Sequence, residues 1–199
     1  MRKSLVLASL FVLVCGGEVL AGVPDPLRSG TGLSTPAAGC QYRFRANGGL
    51  DTMTLCVTLR DGFTAPVAAC STSATIGSPS IIVGDCGGLT QTGFTDGAGV
   101  VYFYYQCVSG RGDATIDVVA HCSGDIAIGS QTFTFTNSDM NASNEAGAST
   151  DVVDLGIWAG CYTPSPYCVA SDFNCASGVD VVDLGLWAGG LGIGCSSCP

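Results

Sequence analysis

Aspartate and asparagine recur in the C-terminal quarter of the chain at spacings that suit a hard cation. Asp151-Val-Val-Asp-Leu-Gly-Ile-Trp-Ala-Gly160 returns 29 residues later as Asp180-Val-Val-Asp-Leu-Gly-Leu-Trp-Ala-Gly189, differing only at Ile157 and Leu186. Ser138-Asp139-Met140-Asn141 precedes the first copy and Ser171-Asp172-Phe173-Asn174 the second. Calcium takes about six to eight oxygens, and a helix-linked loop supplies them from positions 1, 3, 5, 7, 9 and 12. With Asp172 at position 1, Asn174 stands at 3, Gly178 at 7 through its carbonyl, Asp180 at 9 and Asp183 at 12. Ala176 at 5 brings no side-chain oxygen, and Ser177 replaces the turn glycine, so this loop needs a water or a carbonyl at the gap. The first copy places Asp139, Asn141 and Ser143 at 1, 3 and 5, with Asp151 and Asp154 closing it. Its Asp139–Asp154 span is 15 residues against 11 for Asp172–Asp183, a four-residue insertion within Asn144–Thr150. Counting back from Asp154 instead puts Ser143 at 1 and Glu145 at 3. Asp151 and Asp154 stay ligands in both alignments.

Charge supports a metal independently. From Asn137 onward there are seven acidic residues and no Lys or Arg. Carboxylates without a protein cation either stay solvated or gather around a metal ion. The competing reading is that Asp151 and Asp180 merely cap helices. Two copies, each with four oxygen-bearing positions and no countercharge, favour calcium.

Each loop runs into a short helical pattern. Val152, Leu155 and Ala159, and likewise Val181, Leu184 and Ala188, fall on one helical face, and Gly160 and Gly189 end the turns. Helices this short do not persist alone in water, so the pair is expected to bury Leu and Trp faces against each other or against a partner. A duplicated loop-plus-helix with Asp at position 12 resembles a dockerin over nearly all of residues 137–199. That resemblance implies two calcium ions and docking onto a cohesin module through loop positions 10 and 11 and the helix face after them. Those positions are Val152, Val153 and Leu155 in one copy and Val181, Val182 and Leu184 in the other. Val and Trp at these places serve equally well as private core between the helices, and both readings stay open.

Residues 40–136 alternate with period two between Gly, Asp and Pro turns, the pattern of an antiparallel β-sandwich. Leu55, Val57 and Leu59 face one way and Thr54, Cys56, Thr58 and Arg60 the other. Ala114, Ile116, Val118, Ala120 and Cys122 share a face, and Gln131–Thr136 alternates without a break. Thr58-Leu-Arg-Asp-Gly-Phe-Thr-Ala-Pro-Val67 and Thr95-Asp-Gly-Ala-Gly-Val-Val-Tyr-Phe103 resemble the turns of bacterial Ig-like domains of the invasin and intimin type. That resemblance implies a stalk or spacer sandwich in a surface protein. The fold expected is therefore mainly β: an Ig-like antiparallel sandwich over 40–136 and a small helical dockerin-like paired calcium-loop domain over 137–199, with 22–39 a linker or leader strand.

Residues 1–21 read as a secretion signal: Arg2 and Lys3, an apolar run from Leu5 to Val14, and a small-residue cleavage site ending at Ala21. Val14 before Cys15 argues against lipid attachment. Without the leader the chain keeps five basic and fifteen acidic residues, a net of −10. Such a surface disfavours nucleic acid and anionic lipid, and no second apolar segment is long enough to insert in a membrane. Eleven cysteines remain, an odd number that in a secreted chain means disulfides with one thiol over. Cys195 and Cys198 are expected to staple the tail together with Cys161, Cys168 and Cys175. Arg111-Gly112-Asp113 is expected in a hairpin turn. Asn141-Ala-Ser143 is a glycosylation sequon whose Asn is wanted as a ligand. His121, the one histidine, is placed on an exposed strand face, which leaves no histidine-based zinc site and no conventional triad. Catalysis is not expected. The alternatives to docking are a surface or matrix protein stapled by its calcium loops, or a carbohydrate-binding sandwich using Tyr102 and Tyr104 on one strand face.

Overall fold

The computed structural model describes residues 22–37, 39–44, 51–77, 82–85, 89–106, 108–141, 150–162, 168, 171–176 and 178–192. The leader, Ser143, Glu145, Ser177, Cys195 and Cys198 lie outside them. The chain is mainly β. Its strands are β1 (Gly30–Leu33), β2 (Tyr42–Phe44), β3 (Met53–Thr58), β4 (Ser71–Gly77), β5 (Ile82–Asp85), β6 (Thr90–Phe94), β7 (Val100–Tyr105), β8 (Val108–Ala120) and β9 (Ile126–Asn137), followed by helices α1 (Val152–Gly160) and α2 (Val181–Ala188).

The alternation in sequence becomes two sheets over one core. β1-β3-β7 form a three-stranded sheet and β2-β9-β8-β4-β6 a second one, with β5 pairing β8. β3 buries Met53, Leu55 and Val57, β8 buries Ala114, Ile116, Val118 and Ala120, and β9 buries Phe133 and Phe135, all in one cluster. Each fully buried Val, Leu or Phe stabilises the fold by roughly 1.5–3 kcal/mol. The pairs are antiparallel with one departure from expectation: β2 runs parallel to β9, Tyr42 opposite Phe135 and Phe44 opposite Asn137. Within 22–39, expected as a linker or leader strand, Gly30–Leu33 is the edge strand of the smaller sheet, Gly32 opposite Cys56.

Arg111-Gly112-Asp113 corrects the turn expectation. These residues lie inside β8, opposite Thr136, Phe135 and Thr134 of β9. Gly110 and Gly112 adopt positive φ (102° and 112°), conformations open to glycine, so the strand passes through them without reversing.

The turns within Thr58–Val67 and Thr95–Phe103 pack against one another. Asp61 Oδ1 accepts from the amides of Phe63 and Ala65 (both 2.9 Å), and Asp96 Oδ1 from those of Ala98 and Val100 (both 2.9 Å). Arg60 Nη1 donates to Ala98 O at 2.7 Å, and Leu59 N donates to Gly99 O at 2.8 Å. Gly99 has φ +71°, and a Cβ there would stand 2.6 Å from Leu59 O. Buried Thr95 joins the turns, its Oγ1 accepting from Cys70 N (3.0 Å) and donating to Val67 O (2.7 Å). Three disulfides are described: Cys40–Cys175, Cys70–Cys122 and Cys161–Cys168. Cys175 thus bonds back to the β region and not within the tail. Cys56 is a free thiol. Replacing Thr95 by Val removes both hydrogen bonds at constant shape. It is expected to lower stability by about 1–3 kcal/mol in denaturant unfolding; a wild-type midpoint would show that the turns hold without it.

Candidate metal centre

The two acidic loops have the same construction. Asp151 and Asp180 are exposed N-caps whose Oδ1 atoms accept from Val153 N and Val182 N, each at 2.7 Å. Each helix opens with a capping box, completed by Asp154 in α1 and Asp183 in α2. Asp154 Oδ2 accepts from Asp151 N (2.9 Å), and its Oδ1 accepts from Met140 N (2.8 Å) and Asn141 N (2.9 Å). Asp183 repeats this, Oδ2 accepting from Asp180 N (2.8 Å) and Oδ1 from Asn174 N (2.9 Å). The closing carboxylate of each loop therefore ties the helix start to the opening Asp-x-Asn. Asn141 and Asn174 thus stand at equivalent places in the two loops.

The opening aspartates also turn inward. Asp172 accepts from Ala176 N (3.1 Å) and Gly178 N (3.3 Å), and Asn174 Oδ1 from Ala176 N (2.7 Å). Asp139, Asp154, Asp172 and Asp183 are all buried. Burial pushes the Asp183 carboxyl above the usual carboxylate range, against the lowering effect of the Asp180 and Asn174 amides, and Asp172 and Asp180 add repulsion. Arg43 pairs with Asp51 at 3.2 Å and donates from Nη1 to Phe173 O, beside Asp172, at 3.1 Å. Desolvating an ion costs several kcal/mol, on the order of what only a countercharge or several strong donors offset.

These residues fit calcium in donor chemistry: oxygen throughout and net negative. Among the described residues no three His, Cys, Asp or Glu side chains converge as a metal-holding group. A cation here would therefore draw on Asn141 or Asn174 and on loop carbonyls such as that of Gly178, besides the aspartates.

The fully buried positions of each helix are Asp154 with Trp158 and Asp183 with Trp187, four residues apart. The Trp face goes inside as expected, with Leu155 and Leu184 half-buried, while Val152, Ala159, Val181 and Ala188 stay exposed. The reason is the loop: its closing carboxylate must point inward, and this rotates the helix so that the indole follows it inside. Trp158, Trp187, Met140 and Phe173 form a small core, with Leu155 and Leu184 half-buried against it. Trp187 Nε1 donates to Ser138 O at 3.0 Å, and a Cβ on Gly190 would collide with the same serine. The valine pairs stay outside: Val152 is 78% and Val181 69% exposed, with Val153 and Val182 at 54% and 53%.

One constellation escaped sequence reasoning. Ser73 Oγ lies 2.8 Å from His121 Nε2, and His121 Nδ1 lies 2.7 Å from Asp125 Oδ1. The three are brought together by β4–β8 pairing, the Cys70–Cys122 bridge and the turn after β8, where Gly124 takes φ 100°. Ser73 sits in a strand paired on both sides, opposite Thr92 and Val119, so the surrounding amides are committed to the sheet and not to an oxyanion hole. Asp125 is exposed, which weakens its hold on the imidazole. A fluorophosphonate probe is expected to leave Ser73 unlabelled by mass spectrometry. Labelling that vanishes in Ser73→Ala would make this serine a nucleophile.

No family model and no curated protein sequence matches the chain. Among solved structures, the Yersinia pseudotuberculosis adhesin InvE is similar at 17% identity and a TM-score of 0.39, covering 58% of this chain and 28% of that one. The chain thus spans less than a third of that adhesin, and the likeness is a weak one of fold. No helix among the described residues is long and apolar enough to cross a membrane.

Proposed function

We propose that this is a secreted, non-enzymatic protein in which an Ig-like β-sandwich carries a dockerin-like pair of calcium loops, attaching it to a cohesin-type partner. The observation that carries the docking reading is the division of labour within each repeat. The indoles of Trp158 and Trp187 fill the module's own core, while Val152, Val153, Val181 and Val182 stand in water at equivalent places beside the capped loops. Exposed apolar pairs that the fold does not use are candidate contact residues. Leu155 and Leu184, half-buried, would contribute their outer edges. Disulfides support an oxidising, extracellular setting and agree with the secretion signal read from residues 1–21.

The second reading, a surface protein whose loops are an intramolecular staple, is favoured by the Cys40–Cys175 bridge between the β region and the second loop. A carbohydrate-binding sandwich has the stacked, exposed rings of Tyr102 and Tyr104 on its side, their centroids 6.4 Å apart. Replacing all four valines by Ser separates docking from stapling. Docking predicts that calcium-dependent capture on a purified cohesin module is lost while the melting temperature holds. A lowered melting temperature, or capture that survives the replacement, would contradict it.

A further inference from the structure

We infer that the β region is a working part of the second cation loop: Cys40, Gln41 and Arg43 are positioning residues that hold Asp172–Asp183 in its binding shape. The inference rests on the calcium reading and adds to it the residues outside the loop that set its affinity.

Three contacts converge on the start of this loop from one short stretch. Gln41 Nε2 donates to Asp172 O at 2.8 Å in a buried setting. Arg43 Nη1 donates to Phe173 O at 3.1 Å. Cys40 is bonded to Cys175, 135 residues away in sequence, with their Cα atoms 5.9 Å apart. Cys175 lies between Asn174 and Ala176 and adopts φ +59°, left-handed backbone that a non-glycine residue disfavours. A covalent tether at that residue holds the turn that brings the amides of Ala176 and Gly178 onto the Asp172 carboxylate.

The stretch doing the holding is itself rigid. Arg43 is fixed by Asp51, which accepts from its Nε at 3.2 Å and its backbone amide at 2.7 Å. β2 lies in register beside the end of β9, with Phe44 opposite Asn137. That end of β9 leads straight into the first loop, where Asp139 O accepts from Gly110 N at 2.8 Å. The opening carbonyl of each loop is therefore held by a donor from the β region, through the main chain for the first loop and through an added side chain and disulfide for the second. A loop backbone fixed before the ion arrives needs less ordering when it binds, and outer partners of metal ligands are worth about 10–100-fold in affinity.

The test is calorimetric titration of calcium chloride into the full chain: unaltered, with Cys40→Ser and Cys175→Ser together, and with Gln41→Ala alone. Each is repeated in an Asp180→Asn background, with circular dichroism melting to confirm the β fold. The clamp variants should weaken the second loop's binding step by about tenfold or more, and should cause no further loss once Asp180→Asn has disabled that loop. Unchanged affinity, or equal weakening in the Asp180→Asn background, would overturn the inference while leaving calcium binding in place. No binding heat from the unaltered chain would remove the calcium reading and this inference together.

Discussion

A buried carboxylate persists only where donors or a cation surround it, and the C-terminal module is organised around two such groups. Asp154 and Asp183 each bind the amide of their helix N-cap and the amide of an asparagine in the loop opening. Release either carboxylate and loop and helix are no longer joined. The inward turn of these residues also sets the helix rotation, which sends Trp158 and Trp187 inside and leaves the valine pairs in solvent. Among the described residues its hydrophobic cluster comprises four buried side chains, Met140, Trp158, Phe173 and Trp187, with half-buried neighbours around them.

The β region contributes through that same closure. Its core is conventional, two sheets over one apolar cluster, yet one edge of it reaches the acidic module. β2 stands beside the end of β9, and the residues just before and within β2 grip the second loop. Disulfides extend the pattern: one fixes β4 to the end of β8, one fixes the exit of α1, and the longest crosses from the β region to the second loop. Ser138 links the halves of the module, bound by Trp187 Nε1 through its carbonyl and by Thr150 through its hydroxyl.

Much of this was legible in the sequence where one physical period dominated. Strands β3, β8 and β9 alternate because one face is buried and the other is not, and alternation survives in the letters. The loop repeat was legible because oxygen donors at fixed spacing have few other uses. The helix faces were legible in part: the indoles of Trp158 and Trp187 go inside as expected, whereas the burial of Asp154 and Asp183 is decided by the hydrogen bonds of the loop. Gly110 and Gly112 read as turn residues, since nothing local tells a glycine that reverses the chain from one that keeps a strand going at positive φ. The Cys40–Cys175 bridge and the Ser73–His121 contact join segments far apart in sequence, and for the second it is the register of β4 on β8 that brings them close.

On the calcium reading proposed above, the buried Asp139, Asp154, Asp172 and Asp183 form a cation-requiring core. Differential scanning calorimetry of the full chain, in excess calcium and in a calcium chelator, tests it most directly. A ligand at a hundred times its dissociation constant adds about 2.7 kcal/mol to the folded state. The account predicts an unfolding transition that rises in calcium, and one that no longer responds when Asp154 and Asp183 are both changed to Asn. Identical transitions with and without calcium would contradict it.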